Sequence, residues 1–223
     1  MKLSKKIKLV IAVDGGAGSG KTTGSSLIAK KFGLKLLTSG LLYRYCAFKL
    51  LTTKKIKNKR LFLIQITKKI TYKKLKNKKL YDPKVTEYSS KISKIKFVRN
   101  LLKNFQEKFA KEKSCIIEGR DIGTVILPGR KSDLKLFFKC SLNVKTKRRF
   151  LELKKNNKKT TLSQVKNAIK TRDLEDTKRK ISPLRPAKGA VIVDTSKINI
   201  KEMEAKLIDI VLKVLNKKYA TNI

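Results

Sequence analysis

The chain contains no histidine and no tryptophan, and acid is scarce: 16 Asp plus Glu stand against 58 Lys plus Arg in 223 residues. Without histidine there is no imidazole general base, no Ser-His or Cys-His nucleophile pair and no His-containing metal site. Cysteine is equally sparse. Cys46, Cys115 and Cys140 are an odd number without a CxxC spacing, too few for a closed four-thiolate zinc site. Cys115 and Cys140 sit in apolar, strand-like runs, where a free thiol reads as a small buried hydrophobe. This thiol usage fits a cytoplasmic protein without structural metal. No apolar run approaches the roughly 20 residues that a bilayer span requires. The opening MKLSKKIKLVIAVDGG has the basic-then-apolar look of an export signal, but its apolar stretch, Leu9–Val13, is interrupted by Asp14. That stretch is shorter than the roughly 7–15 residues of an export core, so a buried strand is the better reading.

What is present is ample apolar material, 40% of residues, in a chain long enough for one large domain with small attached lobes. The net charge of +42 suits nucleic acid, an anionic membrane or anionic small molecules. Of the 58 basic residues only 10 are Arg. Arginine is the side chain that reads oxyanions by geometry. Lysine is spread almost everywhere beside abundant Ile and Asn, which reads as genome composition rather than as a nucleic-acid surface. The few arginines are therefore the informative cations.

Apolar runs alternate with amphipathic stretches, the pattern of βαβ units and a parallel sheet. Residues 8–13, 35–37, 114–117, 134–140 and 190–193 read as strands. Residues 21–32, 40–51, 91–111, 144–155, 162–180 and 200–217 read as helices, with Thr161-Leu162-Ser163-Gln164 as a capping box. Pro183 and Pro186 mark the break before the last strand. The Lys-rich segment 53–86 reads as a small inserted lobe with short strands at Lys69–Leu75 and Lys79–Val85. The basic stretch 148–160 reads as a helical flap.

One motif carries chemistry directly. Gly15-Gly16-Ala17-Gly18-Ser19-Gly20-Lys21-Thr22 fits GxxxxGK[ST] after an apolar strand and before an amphipathic helix. Such glycines let successive backbone N–H groups turn inward around a phosphate, the helix N-terminus adds its dipole, and Lys21 reaches the terminal oxygens. Thr22 is the candidate Mg²⁺ ligand and Thr23 a candidate phosphate contact. This loop points to nucleoside triphosphate binding without separating kinases from GTPases or ATPases.

Beyond the loop, VDGGAGSGKTT, LLTSGLLYR, SSKISKIKFVRNLLKNFQEKF, IIEGRDIGTVILP, KLFFKCSLNVKTKRRFLEL, IKTRDLEDTKRKISPLRPA and VIVDTS follow one another in a set order. Together they resemble the bacterial cytidylate kinases, nucleoside monophosphate kinases of the P-loop class. The resemblance covers nearly the whole chain except about 53–85. It implies an α/β fold, a P-loop NTPase-type parallel β-sheet flanked by helices, with an inserted acceptor-binding lobe and a short helical lid. The layout implied is a core of 1–38, 100–145 and 181–223, an acceptor lobe of 39–99 with the Lys-rich insert, and a lid with flanking helices at 146–180. Gly15 to Thr23 then hold ATP. Ser39 and Arg44 belong to the acceptor site, Ser90, Arg99 and Asp121 contact cytosine, and Arg120 is a phosphate ligand. Arg172, Asp176 and Arg179 lie near ribose and phosphates, and the lid brings Lys147, Arg148 and Arg149 over the transferring group. The catalytic set is Lys21, Arg120, Arg148, Arg172 and Arg179. The sequence departs from the family at Thr38, where an acid is usual, at Gly16, where proline is usual, and at Thr22, where glycine is common.

The cytosine assignment also has a physical basis. Cytosine offers an amino donor beside two acceptors, so a carboxylate and an Arg match its edge, whereas uracil reverses part of that pattern. A structural ion pair is the alternative for Asp121 and Arg99. The expected reaction is ATP with CMP or dCMP, aided by Mg²⁺, in a monomer that binds nucleotides and neither membrane nor specific nucleic acid. The alternatives are a P-loop kinase for another acceptor such as UMP and a nucleic-acid-binding ATPase.

Overall fold

The computed structural model describes residues 3–4, 7–155 and 160–219, so the expected flap lies partly outside the described residues. The chain divides into two compact units, Met1–Leu37 with Lys113–Ile223, and Thr38–Glu112.

The first unit begins with β1 (Val10–Gly15), buried at every position, as a strand covered on both faces must be. The phosphate-loop segment follows and leads into α1 (Lys21–Phe32). Gly20, which opens α1, has φ 84, a left-handed conformation that favours glycine. Gly33 closes the helix at φ 69, its N–H returning to the Ala29 carbonyl. β2 (Lys35–Thr38) completes this part of the chain.

The second unit is helical: α2 (Ser39–Thr52), α3 (Lys59–Lys68), α4 (Tyr72–Leu75), a 3₁₀ turn at Lys78–Tyr81, α5 (Pro83–Ile92) and α6 (Lys96–Glu112). The strands expected at Lys69–Leu75 and Lys79–Val85 are helical turns instead. Each turn starts at a side chain that caps backbone N–H groups: Thr71 accepts from Lys74, Asn77 from Lys79, and Asp82 from Lys84 and Val85 with Pro83 following. The helix expected over 91–111 is likewise two. Ser93 donates its hydroxyl to the Ser90 carbonyl, the competition with helix bonding that ends α5 there. Residues 100–112, expected in the core, belong to this unit because α6 runs unbroken to Glu112.

Back in the first unit, β3 (Cys115–Gly119) leads to a π-helical turn (Ile122–Ile126), then β4 (Leu134–Lys139), α7 (Leu142–Lys155), α8 (Leu162–Lys178), β5 (Val191–Asp194) and α9 (Ile200–Tyr219). Residues 146–180, expected as a lid with flanking helices, fall within this unit. The sheet order is β2-β3-β1-β4-β5, with β1 parallel to β3 and β4, and β4 parallel to β5. Helices cover it through a core that includes Ile11, Val13, Phe32, Phe138, Leu207 and Val211. β3 and β4 flank β1 on opposite sides, so the strand order reverses across it, the arrangement that opens a ligand crevice at the carboxyl ends of the strands. The phosphate loop emerges there. The thiols stay unpaired, and burial pushes those of Cys46 and Cys115 up to about 12. Among the described residues no helix is long and apolar enough to cross a membrane.

Candidate active site

The loop between β1 and α1 is built as its glycines require, with Gly18 and Gly20 at φ 68 and 84. The buried Ser19 hydroxyl donates to the Gly16 carbonyl at 3.0 Å, and Lys21 Nζ donates to the same oxygen at 3.1 Å. This folds Lys21 back over the loop, where its side chain is 8% exposed as a residue. Burial pushes its ammonium down from 10.5 to about 7, and Arg120 and Arg172 push the same way while Glu118 and Asp176 oppose them. An ammonium strained by desolvation and by two guanidiniums fits an incoming polyanion, whose charge relieves both costs. That is the donor set a triphosphate requires.

Thr22 Oγ1 donates to the Glu118 carboxylate, 3.0 Å from Oε1 and 2.9 Å from Oε2. Glu118 is 1% exposed at the end of β3. Mg²⁺ characteristically keeps several waters and takes one or two protein oxygens plus substrate phosphates. The hydroxyl of Thr22 and the carboxylate of Glu118 suit such an ion. Glu118 lies in the IIEGRDIGTVILP stretch, where its signal in the sequence is a carboxylate in an otherwise apolar strand.

A second cluster joins the turn after β3 to α8. Arg120 Nε donates to Asp176 Oδ2 at 2.7 Å. Arg179 lies 3.5 Å from Asp176 and 4.0 Å from Asp121, and donates from Nε to the Ser182 carbonyl. Arg120, Asp121, Asp176 and Arg179 are thus brought together, with Arg172 contributing to the field at Lys21 from the same helix. Below them Asp14, 3% exposed, accepts from the Ile122 and Gly123 N–H groups at 2.8 Å each. Burial raises its carboxyl from 3.8 to about 6, although those two bonds pull it down. Asp14 fixes the turn that carries Arg120 and Asp121.

Arg148, assigned to the lid, is anchored instead of extended. Its guanidinium donates to Thr195 Oγ1 at 3.0 Å and to the Thr195 carbonyl at 2.8 Å. Thr195 in turn donates to the Ser19 carbonyl at 3.0 Å, so Arg148 is tied to the phosphate loop through one residue. Lys147 is exposed and Arg149 pairs with Glu152 at 2.8 Å on the surface of α7. Thr23 is exposed on the first turn of α1.

The acceptor candidates Ser39, Arg44, Ser90 and Arg99 lie in the second unit. Ser39, buried at the start of α2, donates to Gln106 of α6. Arg44 lies 5.1 Å over the Tyr81 ring. Arg99, 7% exposed, donates to the Ser93 carbonyl at 2.9 Å and lies 5.9 Å over Tyr43. Ser90, half-buried on α5, accepts at its carbonyl from Ser93.

Residues 11–213 match the family model of cytidylate kinase. The cytidylate kinase of Caldicellulosiruptor saccharolyticus is 35% identical over 222 residues, covering 93% of this chain and 97% of that one. The cytidylate kinase of Thermosipho africanus is 36% identical over 211 residues, covering 91% and 94%. Among solved structures, an uncharacterized protein from Eubacterium ventriosum shares the fold, with a TM-score of 0.54 at 15% identity over 92% of this chain and 98% of that one. With a family match across most of its length and relatives above 30% identity, the chain belongs to the cytidylate kinase family.

Proposed function

We propose that the protein transfers the terminal phosphoryl group of ATP to CMP or dCMP, giving ADP and CDP or dCDP. The observation that carries this reading is the buried Lys21 ammonium, folded over a glycine loop and pushed down to about 7 among Arg120 and Arg172. The acceptor's phosphate oxygen is already anionic, so no general base is needed, in keeping with a chain that has no histidine. Catalysis then rests on positioning and on neutralising charge as the phosphoryl group moves in line. Lys21, Arg120, Arg148, Arg172 and Arg179 are the cations assigned to that task. Thr22 and Glu118 are the residues that would hold Mg²⁺, which would supply positive charge to offset that of the phosphates. Ser39 and Arg44 take the acceptor nucleotide, Arg44 its phosphate. Ser90, Arg99 and Asp121 take cytosine, Asp121 accepting from its amino group and Arg99 donating to its ring acceptors. Arg172, Asp176 and Arg179 serve ribose and phosphates. We place the reaction in the cytoplasm, carried out by a monomer; the unpaired thiols support the first point.

The test is ADP release from Mg-ATP against CMP, dCMP, UMP, AMP and GMP. The expected outcome is turnover with CMP and dCMP well above the others. Preference for a different acceptor overturns the roles of Asp121 and Arg99, and no acceptor-dependent turnover overturns the kinase reading.

A further inference from the structure

A carboxylate sits in the phosphate loop. Asp173, on α8, accepts the Ala17 N–H at 2.9 Å through Oδ1, and its Oδ2 lies 2.5 Å from Lys145 Nζ. Both side chains are largely enclosed, Lys145 at 13% and Asp173 at 22% exposure. A planar, two-oxygen anion seated on a loop amide and neutralised by an ammonium reproduces how such a loop takes a phosphate oxyanion. The residue beneath it makes the approach possible. A methyl group at Gly16 would lie 2.9 Å from Asp173 Oδ1 and 3.1 Å from Oδ2, inside the distance that real side chains tolerate. Gly16 is absent from the positive-φ glycines, so alanine suits its backbone and only the carboxylate would have to move.

We propose that Asp173 is a donor-site determinant whose carboxylate competes with the phosphates of ATP for the Ala17 amide. The inference rests on reading the loop as the ATP site. Two anions cannot share one N–H donor, and a carboxylate held beside a triphosphate repels it. ATP therefore binds the population in which Asp173 has withdrawn, and its apparent affinity is reduced by that fraction. Withdrawal also releases Lys145 from its carboxylate partner, leaving an ammonium beside the loop.

A brace and a competitor give opposite signs. If Asp173 braced the loop in its binding form, removing the carboxylate would weaken ATP. As a competitor, its removal strengthens ATP. The contact can be broken from either side, by Asp173→Ala, which removes the carboxylate and its acceptor oxygens, or by Gly16→Ala, which leaves it charged but fills its place.

The experiment is calorimetric titration of the full chain with Mg-ATP in the absence of any acceptor. Thermal melts confirm that each variant folds. The expected result is tighter binding in both variants, roughly tenfold if the withdrawn form is about a tenth of the molecules. The double variant should gain little over either single one, because both remove the same contact. Unchanged or weaker binding in the two single variants, with ATP still bound by the parent, overturns the proposal alone. Failure of the folded parent to bind ATP overturns the proposal together with the reading of the loop.

Discussion

The two units hold their functional side chains by different means. In the first, the contacts span the sequence: Thr22 to Glu118 across 96 residues, Arg120 to Asp176 across 56, Ala17 to Asp173 across 156. In the second, most are local. Asn58, Thr71, Asn77 and Asp82 cap the turns that they begin, and Arg99 bonds a carbonyl six residues before it. Ser39 to Gln106, 67 residues apart, and the ring contacts of Arg44 with Tyr81 and of Arg99 with Tyr43 are the exceptions. A site assembled from distant segments depends on the whole unit being folded, whereas a site on capped local turns keeps its geometry when one contact is lost. The phosphate loop of the first unit should therefore answer a substitution in the chemistry, and Arg99 of the second in acceptor affinity.

The largest expected contrast is between Lys21→Ala and Arg99→Ala. Lys21 is buried and bonded inside the phosphate loop, so its loss should reduce kcat by at least about 10²–10³-fold. Arg99→Ala should raise KM for CMP by roughly 10–100-fold, the loss of one or two charge-assisted hydrogen bonds, while KM for ATP stays put. Steady-state kinetics with each substrate varied in turn separates the two. Comparable rates in Lys21→Ala and the parent would remove the loop from the chemistry. A parallel rise in KM for ATP in Arg99→Ala would break the division between the units.

Asp14 sharpens the contrast through pH. Its carboxyl lies at about 6 in the folded protein against an ordinary 3.8, because burial outweighs the two backbone bonds from Gly123 and Ile122. The folded state therefore binds the proton more tightly than the unfolded chain. The stabilisation is complete below about 3.8 and is lost as pH rises through about 6. Asn cannot follow that proton, so the stability of the parent relative to Asp14→Asn should fall as pH is raised from about 4.5 to 7.5, by at most about 3 kcal/mol. Denaturant titrations at several pH values read this directly. A difference that stays flat, or that grows with pH, would contradict the cost assigned to the buried carboxylate.

The same division explains what could be read from the sequence. The phosphate loop was legible residue by residue because its chemistry dictates glycines at fixed spacing before Lys and Thr. The parallel sheet was legible because buried strands such as VIAV are short apolar runs. The capping box at Thr161 forms as expected, with both reciprocal bonds present. Asp14, Lys145, Asp173 and Thr195 were not legible as site residues, since nothing near each of them names its partner. Thr195 meets the Ser19 carbonyl across 176 residues. The strands expected at 69–75 and 79–85 failed for the opposite reason. Thr71, Asn77 and Asp82 are local caps, and runs of Lys between them gave no periodicity to set against their signal. Gly16 was visible as a departure from the family's usual proline, but the carboxylate it admits comes from α8.

The smallest expected effect tests whether a local contact in the first unit behaves as local contacts do in the second. Thr161 Oγ1 accepts the Gln164 N–H at 3.2 Å, and Gln164 Oε1 accepts the Thr161 N–H at 2.9 Å. Thr161→Ala removes the first of these and should cost about 1 kcal/mol, a fall in Tm of about 2–4 °C for a chain of this size. Fraying there begins at the far end of α8 from Asp173 and Asp176. Those carboxylates are held by Ala17 and Arg120, contacts that do not pass through the cap. Both KM values should therefore stay within about twofold of the parent, well under the change that loss of one such hydrogen bond produces. A shift in KM for ATP without a matching shift for CMP would mean that the whole helix moves when its first turn loosens. The position of Asp173 over the loop would then be set by the cap as well as by Lys145.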